Sequence, residues 1–352
     1  MIQDYITKLS ESGNLQYEEM VQCMHEIMQG NASDKSIASF LLGLKTKGET
    51  VDELKAMLDV MNKFAIKIKP SVKGRLVDTC GTGGDKIKTF NISTVSAFVA
   101  SAAGVSIAKH GNRSVSGPCG SADVLEYFGY DLNTEPNKVK ECIEQLGIGF
   151  MFAPKFHPAM KNVANARKEL GVRTAFNLLG PLSNPADVNA QVVGVYDLSL
   201  IDKIAQLLKN IGRKEAMVFH ADDGLDELSN TCINHISWIR DGSIDKLDLN
   251  PRSLKISIAE PADLSVTSKD ESAMQMFRIL NGSADDKKLG AVLLNASAAL
   301  IVGDKADSFE EGIELARKAI ESGNAFKKFG SLIRKCGNVS QLLELEKKWQ
   351  NS

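Results

Sequence analysis

The sequence predicts an α/β protein in two parts: a small all-helical domain, and a larger α/β domain with a mostly parallel central sheet flanked by helices. Three observations carry this expectation. Residues 1 to about 70 read as helices only. From Leu76 to Ala108 an apolar run, a glycine-rich loop, an amphipathic stretch and a second apolar run follow one another. That is the order of a strand–helix–strand unit, whose two strands lie parallel. Residues 191–220 repeat the order. The expected helical domain is residues 1–70, joined by about 160–188, and the expected α/β domain is residues 74–158 and 189–352. A chain of 352 residues is long enough for two such cores.

In the first part, Met20, Val21, Met24, Ile27 and Met28 recur at helical spacing until Gly30 stops the run. Ile37, Phe40, Leu41 and Leu44 form a second stripe. Thr50-Val51-Asp52-Glu53 is a capping box that opens a helix holding Leu54, Met57, Leu58 and Met61. His25 belongs to this packing surface, because methionine-rich stripes fill irregular helix interfaces. Pro70 to Gly74 is the crossover into the second part.

There, Leu76-Val77 enters the loop Gly81-Thr82-Gly83-Gly84-Asp85. Asn91-Ile92-Ser93-Thr94 follows, a cluster of residue types that favour helix N-caps. Val95, Phe98, Val99 and Ala102 make one apolar helix face, Gly104 closes the helix, and Val105 to Ala108 is the next strand. Glycines without a Cβ let a ligand approach the backbone, where successive N–H groups can cradle an anion. The helix start near Asn91 adds unpaired donors and partial positive charge, worth about 0.3–1 kcal/mol toward an anion. Lys109, His110, Asn112 and Arg113 end the next strand. Two anion-binding loops at one sheet edge suit a ligand with phosphates at both ends. Asp85, a carboxylate in such a loop, calls for a metal, a hydroxyl or a cation beside it. A dinucleotide fingerprint would need glycine where Lys86 stands, and no Gly-Lys-Ser/Thr follows at P-loop spacing.

Further on, Pro136 to Leu146 reads as a helix and Ile148 to Ala153 as a strand. A loop, Pro154 to Met160, leads into a helix carrying Arg167, Lys168 and Glu169, and Arg173 to Pro185 follows. A guanidinium such as that of Arg167 can hold a carboxylate bidentately, or serve as a solvated charge or a partner for Glu169. Gln191 to Tyr196 is a strand, Ser199 to Ile211 a helix and Glu215 to His220 a strand. An acidic loop, Ala221 to Ser229, comes next, and the adjacent carboxylates Asp226 and Glu227 suit a hard divalent cation that also takes phosphate oxygens and water. Ile233 to Arg240 with a turn at Asp241-Gly242 reads as a hairpin. Ser268 to Glu271 is a capping box; Ala291 to Val302, Phe309 to Glu321, Ala325 to Lys335 and Gln341 to Gln350 are helices expected to cover the sheet.

The net charge of −2 gives no electrostatic footprint for nucleic acid. No apolar run approaches membrane-spanning length, and the first residues lack the pattern of a signal peptide. Cys23, Cys80, Cys119, Cys142, Cys232 and Cys336 are scattered, without a Cys-x-x-Cys or a pairing with histidine of metal type. Reduced thiols and a cytoplasmic location are the simplest expectation.

Gly81 to Asp85, Asn91 to Thr94, Lys109 to Ser114 and Gly120 to Glu126 together resemble the signatures of the anthranilate phosphoribosyltransferase family. The resemblance continues through the segments 154–160 and 173–185 and the acidic pair Asp226-Glu227. It implies a nucleoside phosphorylase-like phosphoribosyltransferase fold, a homodimer built through the helical domain, and a step of tryptophan biosynthesis. The implied reaction is displacement of pyrophosphate from 5-phosphoribosyl 1-pyrophosphate by the amine of anthranilate. Carried over residue by residue, the phosphoribosyl pyrophosphate site would comprise Gly81, Gly83, Gly84, Asp85, Thr89, Asn91, Ile92, Ser93, Thr94, Lys109, His110, Gly111, Asn112, Arg113, Ser114 and Ser121. Anthranilate would meet Gly81, His110, Asn112, His157 and Arg167, and Mg2+ would be held by Ser93, Asp226 and Glu227. No catalytic acid or base is assigned.

Three positions depart from the pattern. Ser116-Gly117-Pro118-Cys119 lacks the basic residue expected in that loop, Asn165 stands where a proline is common, and Ala221 where glycine is common. Two other functions compete. A pyrimidine nucleoside phosphorylase shares the implied fold but differs in its glycine loops, and a non-catalytic nucleic-acid-binding relative would show a basic groove or broken site motifs.

Overall fold

β1 (Leu76–Gly81) lies inside a seven-stranded sheet of order β3-β2-β1-β4-β5-β6-β7. The computed structural model describes residues 2–84, 87–114 and 117–350. β2 (Ser106–Gly111), β3 (Ile148–Phe152), β4 (Ala190–Gly194) and β5 (Glu215–Ala221) run parallel to β1. β6 (Asn234–Arg240) and β7 (Ser243–Leu249) add an antiparallel edge. The chain moves one way from β1 to β2 and β3, then returns to β1's other side with β4. That reversal opens a crevice at the carboxyl ends of the strands, where open α/β sheets bind ligands.

Before the sheet come α1 (Ile2–Ser10), α2 (Tyr17–Met28), α3 (Asp34–Lys47) and α4 (Val51–Lys63). The expected box at Thr50 and Glu53 forms, and the Glu53 carboxylate also accepts from Leu15 N at 2.9 Å. His25 packs edge-on against Phe64 at 5.4 Å, as a packing residue should. α5 (Ile92–Ala102) joins β1 to β2. α6 (Ser121–Tyr127) and α7 (Pro136–Leu146) join β2 to β3. After β3, α8 (Ala153–Phe156), α9 (Lys161–Leu170) and α10 (Ala175–Leu179) return toward the first four helices. Val163, Ala166, Phe176 and Leu179 share one apolar cluster with Met20, Phe40 and Met57, so segments far apart in sequence pack as neighbours. α11 (Ile201–Asn210) between β4 and β5 extends that cluster across one face of the sheet.

The other face is covered by α12 (Pro261–Leu264), α13 (Lys269–Leu280), α14 (Asp286–Val302), α15 (Phe309–Glu321), α16 (Asn324–Cys336) and α17 (Val339–Gln350), packing with α5 and α6. α14 is buried along Gly290–Val302, as its alanine-rich sequence requires. Among the described residues, no helix is long and apolar enough to cross a membrane.

Three local expectations need correction. β4 ends at Gly194 rather than Tyr196, because Tyr196 N leaves the ladder to bond Thr82 Oγ1 at 3.1 Å. Asn91 precedes α5 without capping it: its side chain donates to Cys119 O at 3.1 Å and accepts from Ser272 Oγ at 2.8 Å. Ser268 caps α13, yet Glu271 closes no box, since its carboxylate takes Thr267 N at 2.8 Å instead.

Phe329 of α16 joins the sheet-covering layers. Its ring meets Phe128 at 4.9 Å, Phe98 at 5.2 Å and Phe326 at 6.4 Å, with no solvent exposure. Phe329→Ala should therefore cost about 3–5 kcal/mol of unfolding free energy. Urea denaturation of the variant beside wild type measures it.

Candidate active site

The glycine loop after β1 is built around a carboxylate from a distant part of the chain. Asp226, buried, accepts from Gly83 N through Oδ2 at 2.6 Å. A Cβ at Gly81 would land on the Asp226 carboxylate, and one at Gly194 on the Asp226 backbone. Glycine on β1 and on β4 thus makes the slot that admits the acidic loop. Gly83 and Gly84 have φ of +70° and +83°, a conformation glycine adopts without strain. Beside Asp226, Glu227 Oε1 accepts from Ser93 N at 3.1 Å, at the start of α5. Lys109 on β2 is buried and points back under the loop, its Nζ donating to Thr79 O at 2.6 Å with Ser93 Oγ at 3.4 Å.

Burial sets the electrostatics. Withdrawal from water, and then the neighbouring Asp226, push the Glu227 carboxyl up to about 8; Lys109 pulls the other way. Burial also raises Asp226, against the Gly83 hydrogen bond. Burial raises Asp78, which accepts from His110 N at 3.2 Å and feels the Lys109 charge. Burial lowers Lys109, while Asp78 raises it. Three carboxylates thus crowd a poorly hydrated space and stay raised although Lys109 acts on Asp78 and Glu227, Arg213 on Asp78 and Arg173 on Asp226, so positive charge is still short.

That shortage is what a cation would relieve. Asp226, Glu227 and the Ser93 hydroxyl offer the hard oxygen donors that Mg2+ prefers. Among the described residues, no cluster of three or more His, Cys, Asp or Glu side chains forms a closed metal cage. A bound ion would complete its shell from ligand oxygens and water, as a hard cation shared with a phosphate does.

On the β2–β3 side, the His110 and His157 rings lie 5.1 Å apart, both buried, and each Nε2 lacks a hydrogen-bond partner. Burial holds both imidazoles neutral, His157 down to about 4 and His110 well below its ordinary value, the latter reinforced by His157. Arg167 on α9 lies over Phe176 at 5.6 Å. Among the described residues it has no ion-pair partner, so the alternative pairing with Glu169 is not made. Burial lowers its pKa.

The loop after β2 is held from within. Asp123 Oδ2 accepts from Ser114 N and Gly120 N, each at 2.9 Å, and Ser121 Oγ donates to Asn112 O at 3.2 Å. A Cβ at Gly111 would strike Ser121 Oγ. The Arg113 guanidinium binds Asp123 at 2.9 Å and Glu126 at 2.7 Å, fastening the loop to α6. The Ile92 side chain lies in the core, so its backbone is what it can offer a ligand. Thr94 is buried with an unpartnered Oγ1, and Thr89 forms a bridge with Ser265. Asp85, and Ser116 of the divergent loop, lie outside the described residues.

Arg173 went unassigned from sequence, though it sits in a segment already singled out. It donates to Gly84 O and stacks over Tyr196 at 3.9 Å, closing the glycine loop from the α10 side. Asn295 of α14 was missed as well; it clamps the acidic loop by accepting from Leu228 N at 2.9 Å and donating to Leu228 O at 2.7 Å. An isolated asparagine in an alanine-rich helix gave no motif to read.

Comparison with known proteins places this site in a class. Two family models match, one described as glycosyl transferase family, helical bundle domain, over residues 3–65, the other as glycosyl transferase family, a/b domain, over residues 73–326. A curated anthranilate phosphoribosyltransferase of Nitrosopumilus maritimus is 46% identical over 98% of this chain and 99% of its own length. That of Acetivibrio thermocellus is 46% identical over 95% of this chain and 96% of its own. Among solved structures, the Thermus thermophilus anthranilate phosphoribosyltransferase superposes with a TM-score of 0.89 at 38% identity, covering 95% of this chain and 99% of that one. The Saccharomyces cerevisiae enzyme, solved in complex with phosphoribosyl pyrophosphate and Mg, shares the fold at a TM-score of 0.86 and 24% identity, over 95% and 97% of the two chains. The chain belongs to the anthranilate phosphoribosyltransferase family, transferases of tryptophan biosynthesis.

The raised Glu227 carboxyl makes a signed prediction. In the folded, metal-free protein it keeps its proton up to about pH 8, whereas an unfolded glutamate loses it near 4.5. Between those values the folded state binds more protons, so this group's contribution to stability falls as pH rises. Glu227→Gln removes that loss. With chelator present, the melting temperature of the variant should gain on wild type steadily from about pH 5 to pH 8, as differential scanning fluorimetry would read.

Proposed function

We propose that this chain transfers the 5-phosphoribosyl group to anthranilate at the crevice between the carboxyl ends of β1, β2 and β4, with pyrophosphate leaving against Asp226 and Glu227. The observation that carries this is the pair Asp226, buried, and Glu227, half-buried, both with raised carboxyls and hydrogen-bonded to the glycine loop and the start of α5. A family relative solved with phosphoribosyl pyrophosphate and Mg supports the choice of ligand and ion.

The amine lone pair forms a bond to the anomeric carbon while the carbon–oxygen bond to pyrophosphate breaks, the electron pair going to the leaving oxygen. An aromatic amine is a weak nucleophile, so catalysis rests on positioning and on stabilising the leaving group. Asp226, Glu227 and Ser93 would hold Mg2+, which when bound neutralises charge on pyrophosphate. Gly81, Gly83 and Gly84 present backbone to pyrophosphate, together with Thr89. The Gly83 N–H then exchanges its Asp226 acceptor for a ligand oxygen. Asn91, Ile92 N–H, Ser93, Thr94 and Lys109 meet ribose and phosphate oxygens at the start of α5. Gly111, Ser114 and Ser121 shape the second loop, which Arg113 holds in place.

Arg167, a guanidinium without a carboxylate partner among the described residues, receives the anthranilate carboxylate, with Asn112 and Gly81 beside the ring. The neutral rings of His110 and His157 line that side, each with a buried Nε2 that has no hydrogen-bond partner among the described residues. Self-association through the helical domain completes the proposal. It is supported by Leu42 of α3, 48% exposed on a helix whose other face is core. The free thiols of all six cysteines support a reducing, cytoplasmic setting.

Anthranilate fluorescence followed on addition of phosphoribosyl pyrophosphate tests the reading. Loss of fluorescence that needs Mg2+, stops with chelator and matches pyrophosphate release is the expected result; a folded protein with no turnover would refute the assignment. Arg167→Ala should raise KM for anthranilate about 10- to 100-fold, the loss of one charge-assisted contact, and leave KM for phosphoribosyl pyrophosphate near wild type. Asp226→Asn combined with Glu227→Gln should abolish Mg2+-dependent turnover in a protein with native circular dichroism.

A further inference from the structure

Far from this site, two buried thiols meet. Cys142 in the second half of α7 and Cys336, the last residue of α16, place their Sγ atoms 3.1 Å apart although 194 positions separate them in sequence. It is the one Sγ–Sγ contact among the described residues; Cys23, Cys80, Cys119 and Cys232 have no such neighbour. Both thiols are essentially without solvent exposure, and neither hydrogen-bonds to a residue of the candidate site. The pair joins two layers: α7 packs against β2 and β3, whereas α16 packs against α5 and α7. Around it, Asp131 N donates to Cys336 O at 2.8 Å and Tyr130 bridges to Gly337.

We propose that Cys142 and Cys336 are a redox modification site, which peroxide closes to a disulfide that fastens the C-terminal helices to the β2–β3 side of the sheet. A disulfide needs its sulfurs about 2.05 Å apart, so the thiols must close by roughly 1 Å. Cys336 is the last residue of α16, and its carbonyl is held by Asp131 N at 2.8 Å, so the approach falls to rotation of the side chains. The hydrogen bond from Cys142, with Lys138 and Lys335 nearby, favours the thiolate on Cys336, while the same contact and burial keep the proton on Cys142. The Cys336 thiolate attacks one oxygen of hydrogen peroxide, breaking the O–O bond; hydroxide leaves and takes up a proton as water. The sulfenic acid so formed is attacked by the Cys142 sulfur, which gives up its proton, and the second oxygen leaves as water. Two thiols and one peroxide yield one disulfide and two waters, and thiol reductants reverse the bond. Closing so long a loop restricts the unfolded chain and raises the melting temperature. Catalysis is unchanged, since the bond lies outside the ligand crevice.

The full chain, purified reduced, is treated with hydrogen peroxide. Remaining thiols are then alkylated in denaturant and the protein digested for mass spectrometry. The expected product is a crosslinked peptide pair containing Cys142 and Cys336, lost on adding dithiothreitol and absent from Cys142→Ala and Cys336→Ala. The oxidised wild type should melt several degrees above its reduced form, and peroxide should not raise the melting temperature of either variant. Alkylation of both cysteines after peroxide treatment, or their conversion to sulfinic acids, would overturn the proposal. So would a crosslink without any rise in melting temperature. Circular dichroism of the alanine variants confirms that a missing crosslink reflects the missing sulfur.

Discussion

The slot that Gly81 and Gly194 leave for Asp226 is the constraint on which the site depends. Two neighbouring strands lack side chains where the acidic loop must pass, and the loop answers with a carboxylate bonded to Gly83 N at 2.6 Å. Any Cβ at either glycine would push the acidic loop outward, and Glu227 with it. Asn295 clamps the far side of the same loop through both backbone groups of Leu228. The glycine loop and the acidic pair are therefore one structural unit, held at the reversal point of the sheet.

Electrostatics follow from that packing. Burying Asp78, Asp226 and Glu227 leaves their carboxyls raised above their ordinary range, even with Lys109, Arg213 and Arg173 acting against the shift. A site made this way is preorganised for positive charge, and the field it applies is strongest where water is excluded. The histidine side differs: it carries two neutral, buried imidazoles and, on α9, a guanidinium without an ion-pair partner among the described residues. The two halves of the crevice thus differ in kind, one crowded with carboxylates, the other lined by neutral rings and a guanidinium.

Packing also explains why the helical part matters to a site built on the sheet. α9, which carries Arg167, shares its core with α2, α3 and α4, while β4 and α11 join the same cluster from the sheet side. Arg173 crosses between the parts by donating to Gly84 O. The residues expected to hold the acceptor and those expected to hold phosphate are therefore carried by different layers that meet along one apolar seam.

The sequence by itself determined the strand–loop–helix–strand order, the glycine loop, the acidic pair and the two-part architecture, because each is local: periodicity, turn chemistry and adjacent residues report it directly. Membership of the family was legible for the same reason, in short contiguous motifs. The tertiary structure alone decided which partner each side chain takes. Asp226 reaches Gly83 across 143 positions, Arg113 pairs with Glu126, Asn91 abandons capping for Ser272, and Arg173 and Asn295 acquire contacts without a motif. Cys142 and Cys336, unremarkable as scattered thiols, become a pair only when α7 meets α16. A hydrogen bond or a sulfur contact depends on separations of a few ångströms, and between distant segments only the folded core sets those separations.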